Sequence, residues 1–183
     1  MHYRRVRIEG GTYFFTVVTH KRRPIFKDAN AVAEFERAVS DVRIAHPFEI
    51  AAQVILPDHL HVLWTLPEGD SDFPMRWRMI KAAFTRAMRD DFPDDLTRSK
   101  SRADKGERTI WQRRYWEHVI HGGEDFIAHV EYIHFNPVKH HLAKRPRDWP
   151  HSTFLDWVSR GLYDLNWGCQ ADAGAARALA PDD

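Results

Sequence analysis

The chain has 183 residues, enough for one domain with a real core. Apolar residues make up 43% and charged residues 29%, as in ordinary globular proteins, and the single cysteine, Cys169, excludes an intramolecular disulfide and any multi-cysteine zinc site. The net charge of +1 hides a segregation. Residues 1 to 27, 98 to 114 and 139 to 147 are rich in Lys and Arg, with Trp, Tyr and Phe interleaved through the basic stretches, whereas acids gather in DDFPDD (90 to 95) and near the C-terminus. Such segregation can build one basic face for phosphates, or simply a solvated surface. The N-terminal stretch has no long apolar core and no run approaches the roughly 18 apolar residues of a membrane span, so a cytoplasmic protein is expected.

TYFFTVVTH (12 to 20) is aromatic and β-branched and predicts a strand, after a turn at Gly10 and Gly11. From Asp28 to His46 the period changes. Val32, Phe35, Val39 and Val42 recur at three- and four-residue spacing, which predicts an amphipathic helix capped by Asp28 or Asn30 and ended by Pro47. FEIAAQVIL (48 to 56) and HLHVLWTL (59 to 66) predict two strands joined as a hairpin. Residues 70 to 92 predict a second helix, with Phe73, Trp77, Ile80 and Phe84 as its buried stripe and Arg76, Arg78, Lys81 and Arg86 off it. Residues 93 to 109 are polar and aperiodic and predict a mobile loop. IWQRRYWEHVIH (110 to 121) predicts a fourth strand, residues 123 to 142 a helix that meets Pro137, and residues 143 to 168 an irregular segment rich in Trp and Pro. The order β-α-β-β-α-β, then a helix, predicts a ferredoxin-like α+β fold: an antiparallel sheet with helices on one face.

Side chains alternate along a strand, so His59 and His61 point to one face, with Cα atoms roughly 6.5 to 7 Å apart. Two imidazoles so placed can converge on a metal ion, or can be half-buried structural histidines. Tyr132 and Asn136 are four apart and share a helix face. An amide oxygen suits a hard divalent ion, and a phenol near a metal-bound phosphate can act as a nucleophile. The plainer reading is a core tyrosine and a helix cap before Pro137.

The surrounding blocks decide between these readings. LPDHLHVLWTLPEGD, with YRRVRIEGGTYFFTVVTHKRRP, DFPMRWRMIKAAFTR, WQRRYWEHVI, HVEYIHFNPVKHHL and DWPHSTFLDWVSRGLYDLNWG, resembles the REP-associated tyrosine transposases. These are relatives of the IS200/IS605-type single-tyrosine transposases and belong to the HUH nucleases, named for His–hydrophobic–His. The resemblance runs from residue 3 to about 168. It implies that residues 1 to 142 are the catalytic domain and 143 to 183 a C-terminal extension, flexible over roughly its last 15 residues. It implies His59 and His61 as the metal pair, Tyr132 as the nucleophile, and Asn136 where related enzymes often carry a glutamine ligand. Tyr115, in RRYW, is a decoy at a position where the family shows an aromatic. The implied cofactor is Mg²⁺ or Mn²⁺. The implied substrate is single-stranded or hairpin DNA from repetitive extragenic palindromes, cleaved through a 5′-phosphotyrosine link by a monomer or a homodimer.

Candidate phosphate contacts are Arg4, Arg5, Arg7, Arg76, Arg78, Lys81, Arg113, Arg114 and Lys139, and Trp111, Trp116 and Trp149 are candidate base-stacking residues. His134, His140 and His141 are expected at the surface or against phosphates. The competing readings are a DNA-binding protein of the same fold that has lost catalysis, and a phosphodiesterase that uses water. A TIM barrel would need a longer chain, and a cupin would lack these helices.

Overall fold

The computed structural model describes residues 6–92 and 99–169. Its centre is a four-stranded antiparallel sheet in the order β2-β3-β1-β4, with β1 Thr12–Val18, β2 Glu49–Ile55, β3 His59–Thr65 and β4 Trp116–Val119. The hairpin β2–β3 closes with the Leu56 N–H donating to the His59 carbonyl at 2.8 Å. The fourth strand covers only four of the twelve residues expected, because Ile110 to Tyr115 leave the sheet and pack elsewhere. Pairing survives there only as the single bridge Thr19–Trp111.

Strand alternation sorts the apolar side chains into two cores. Tyr13, Phe15 and Val17 of β1 and Leu60, Val62 and Trp64 of β3 face one way. Against them pack α1 (Ala29–Ala45) and α2 (Phe73–Ala87), the two helices of the ferredoxin-like motif, on one face as expected. Asp28 caps α1 by accepting from the Asn30 N–H, and Asp72 caps α2 by accepting from the Met75 N–H. Phe14, Leu63, Ala52 and Val54 face the other way, under α4 (Gly122–Lys139) and α5 (Phe154–Ser159). The third helix thus covers the sheet's second face, which gives three layers. Within the expected loop, the described part contains the short helix α3 (Lys100–Asp104).

Arg76 is not a surface contact. It lies three residues after Phe73 and one before Trp77, so helical geometry places it on the buried stripe. Only 1% of it is exposed, and its guanidinium donates to the Asp70 carboxylate at 2.7 and 3.2 Å and to the carbonyls of His46, Pro47 and Asp72. It ties the start of α2 to the turn before β2.

Residues 143–169 are less irregular than composition suggests. The Trp149 and Trp157 indoles donate to the Ile55 and Ala51 carbonyls of β2, and Thr153 bonds Gln53. Trp149 and the buried Trp111 are therefore structural, and of the three candidate stacking residues only Trp116 is exposed, at 43%. The expected flexible end, residues 170–183, lies outside the described residues.

His134 also departs from expectation. It is completely buried among Phe154, Trp157 and Tyr163, with Nε2 against the Thr153 hydroxyl at 2.9 Å. Burial pushes its pKa down to about 3. Below the ordinary histidine value, near 6.5, the unfolded chain takes up a proton that the folded chain refuses. The stability tied to His134 is therefore full above that value and lost as pH falls towards 3. The expected cost from this group is about 1.4 kcal/mol per pH unit in that window. His134→Gln should flatten the profile of urea midpoint against pH between about pH 6 and 4, and an unchanged profile would refute this assignment.

Candidate active site

Strand β3 is paired on both edges and covered on both faces, so it is buried along almost its whole length. His59 and His61 occupy successive positions facing α4 and are 2% and 1% exposed. Their ring centroids are 5.0 Å apart. Each ring is held by its Nδ1. His59 Nδ1 lies 2.6 Å from the Asp58 carboxylate, and His61 Nδ1 lies 2.9 Å from the Thr16 hydroxyl on β1. Burial works against the Asp58 charge, but the bonds from His59 and Arg22 hold its carboxyl down at about 2. An ionised carboxylate only accepts, so the His59 Nδ1–H donates to it and Nε2 is the ring nitrogen turned away from Asp58. Burial pushes His61 well below the ordinary histidine range, reinforced by the charges around His59 and His140, and keeps its imidazole neutral.

The Nε2 atoms of both histidines are buried without a hydrogen-bond partner. So are both amide atoms of Asn136, which is completely buried one helical turn after Tyr132 on α4. An unbonded buried amide is costly, and natural sites keep one where a ligand completes it. Two imidazole lone pairs, each oriented from its far nitrogen, and one amide oxygen are a donor set that a divalent ion accepts.

Tyr132 lies beside this set, with its ring 5.1 Å from that of His61 and only 2% exposed. Pro137 does not end α4. Its fixed φ is helical and only its own N–H is lost, so the helix runs on to Lys139. That extra turn places the Lys139 ammonium 5.1 Å from the Tyr132 ring and the His140 ring 5.3 Å from His59. Tyr115 instead packs on the α1/α2 face against Phe15 and Trp77, on the opposite side of the sheet.

One group went unread in the sequence. His118, Asp125 and His129 bring three ligand atoms within 4.8 Å of one another. These atoms already bond each other: Asp125 meets His118 Nε2 at 3.0 Å and His129 Nδ1 at 2.9 Å. The group pins β4 to α4 next to Phe14, whose ring also touches His61 and Tyr132. Asp58 was legible, since it directly precedes His59 in the quoted motif.

Of the expected phosphate contacts, Arg7, Arg78 and Arg114 are exposed, Arg113 is paired with Glu107 at 2.7 Å, and Lys81 donates to the Gln112 carbonyl at 3.0 Å. Arg4 and Arg5 lie outside the described residues. No helix among the described residues is long and apolar enough to cross a membrane.

Comparison with known proteins agrees with this geometry. The family model described as "Transposase IS200 like" matches residues 8–136. The chain is 45% identical over 165 residues to the REP-associated tyrosine transposase of Escherichia coli K12, covering 90% of this chain and 89% of that one. A Haemophilus influenzae protein given the same family name is 39% identical over 171 residues, covering 93% and 94%. The solved structure of a REP-associated tyrosine transposase bound to a REP hairpin superposes with a TM-score of 0.77 at 44% identity, over 91% of this chain and 90% of that one. With a buried His-x-His pair facing a helix-borne tyrosine, and matches of this length, the chain belongs to the IS200-like transposases and, among them, to the REP-associated tyrosine transposases.

Proposed function

We propose that this protein is a metal-dependent single-strand DNA endonuclease and strand transferase that acts on REP-type hairpin DNA through a 5′-phosphotyrosine link at Tyr132. The observation that carries this reading is the trio of buried, unbonded donors at His59 Nε2, His61 Nε2 and Asn136, with the His61 ring 5.1 Å from the Tyr132 ring and Asn136 one helical turn after Tyr132. The hairpin part rests on similarity to the hairpin-bound relative.

His59, His61 and the Asn136 amide oxygen would hold Mg²⁺ or Mn²⁺, which when bound supplies positive charge at the scissile phosphate. Asp58 and Thr16 fix the two imidazoles from behind, so the donors are preorganised. Tyr132 forms a bond from its phenolic oxygen to phosphorus while the bond to the 3′-oxygen breaks. The phenol loses its proton and the departing 3′-oxygen gains one. Lys139 places positive charge beside the phenol, where it offsets the charge of the attacking oxygen and the phosphate. The new phosphodiester keeps the energy of the old one, so a 3′-OH can reverse the step without ATP. The 5.1 Å between the His61 and Tyr132 rings within the chain supports cleavage in cis.

The test uses hairpin oligonucleotides from the REP-like repeats around the protein's own gene, labelled at either end, with Mn²⁺. Denaturing gels should show a covalent adduct that carries only the 3′-side fragment. Tight, metal-independent binding with no adduct would instead make the protein an inactive binder of the same fold, and cleavage with no adduct would make water the nucleophile.

A further inference from the structure

A basic concavity lies away from the histidines, on the α1/α2 side of the sheet. It encloses about 720 Å³ between α2 and residues 102–115. Seven of its lining residues are Lys or Arg and only one, Glu107, is acidic, and that carboxylate is paired with Arg113. Four of the cations, Arg78, Arg86, Arg89 and Arg113, are exposed. The first three make no ion pair or side-chain hydrogen bond among the described residues. Arg78 and Arg86 project from one side of α2 and Arg89 from the turn after it, with the short Ala82 and Thr85 on the same lining. Arg102 and Arg108 donate to the main-chain carbonyls of Arg108, Trp111, Arg89 and Phe92, which shapes the opposite wall.

The cleft is also aromatic. Trp77, Trp111 and Tyr115 line it, and the Lys81 ammonium sits 5.4 and 5.5 Å from the Trp111 and Tyr115 rings. Trp77 and Trp111 are 1% and 6% exposed and form the wall of the cleft, so the aromatic face open to a ligand is that of the half-buried Tyr115. Cations at the rim beside an open aromatic face are the chemistry that holds phosphates and an unpaired base together. A duplex keeps its base faces stacked inside, so only unpaired nucleotides can use the aromatic face.

Its position relative to the proposed active site follows from strand alternation. Tyr115 faces this cleft, while the next residue, Trp116, faces the other side, 5.7 Å from Phe14, which touches His61 and Tyr132. The two sites lie back to back across β4, an edge strand with no neighbour on its outer side among the described residues.

We infer that this cleft is a second binding site, which takes the unpaired nucleotides of single-stranded DNA as they pass from the Tyr132 site round the β4 edge. The choice of DNA as occupant rests on the proposed function. The test does not depend on cleavage, because it is run in EDTA and reads binding alone.

The probes are fluorescent oligothymidine of twelve nucleotides and a blunt-ended REP-type hairpin without single-stranded flanks. The variant is Arg86→Gln/Arg89→Gln, two exposed positions that leave the core intact. Its affinity for the oligothymidine should fall at least about fivefold at 150 mM salt, with the salt slope reduced by about 1, while hairpin affinity stays within about twofold. Bromodeoxyuridine placed in the oligonucleotide should photocrosslink to the peptide that contains Trp111 and Tyr115. Unchanged oligothymidine binding, or equal loss on both probes, would overturn the inference. So would competition by thymidine monophosphate as effective, per nucleotide, as the strand, which would make the cleft a mononucleotide pocket. Failure of the adduct experiment leaves this result readable, and failure here leaves the Tyr132 chemistry standing.

Discussion

Tyr132→Phe is expected to reduce the covalent protein–DNA adduct to background while leaving hairpin affinity within about twofold, because only one oxygen is removed. The ring packs against Phe14 and His61 and stays in place in the phenylalanine variant. The substitution therefore separates chemistry from folding and from binding. Two tyrosines competed for this role in the sequence, Tyr115 and Tyr132. Tyr115 packs on the opposite side of the sheet, with its ring 5.8 Å from Phe15 and 5.9 Å from Trp77. Tyr115→Phe should consequently keep full adduct formation. An adduct that persists in Tyr132→Phe and disappears in Tyr115→Phe would overturn the assignment and require β4 to rearrange.

The second large effect concerns the metal. His59→Ala should weaken Mn²⁺ binding, read by calorimetry on the DNA-free protein, by at least about 100-fold, a loss beyond what outer-shell changes typically cause. Cleavage should be lost with it. The variant also removes the partner that sits 2.6 Å from the Asp58 carboxylate, but Arg22 still pairs with Asp58 at 3.0 Å, so the turn keeps its charge balance. Thermal unfolding without metal then serves as the control for folding. Full recovery of cleavage at high Mn²⁺ would show that the ligand set is larger than His59, His61 and Asn136. Unchanged Mn²⁺ affinity would move the metal elsewhere, and the His118–Asp125–His129 group would be the first place to look.

Much of the fold was legible because its signals are local. The period-3.6 stripes of α1 and α2, their Asp caps, and the alternation through β1, β2 and β3 each lie within one short segment. The His-x-His pair and its shared direction follow from strand geometry alone. Other features escaped because they depend on distant partners. Arg76 looked like a surface cation until Asp70 and the His46 and Pro47 carbonyls closed around it. His134 looked exposed until α5 covered it. Strand β4 is short because Ile110 to Tyr115 leave the sheet to pack in the core beneath α1 and α2, although β1 runs on to Val18, and no local pattern announces that distant packing.

The sequence by itself determined the family, the helix and strand periods, and the residue types able to do the chemistry. Only the tertiary structure decided which of them meet. His61 and Tyr132 are separated along the chain by 71 residues, and nothing in local propensity brings their rings to 5.1 Å. The sheet order and the packing of α4 on the face opposite α1 and α2 do so. The same packing sends adjacent residues Tyr115 and Trp116 to two different sites. Side-chain direction is a local property, but what lies in that direction is set by the long-range burial of apolar surface.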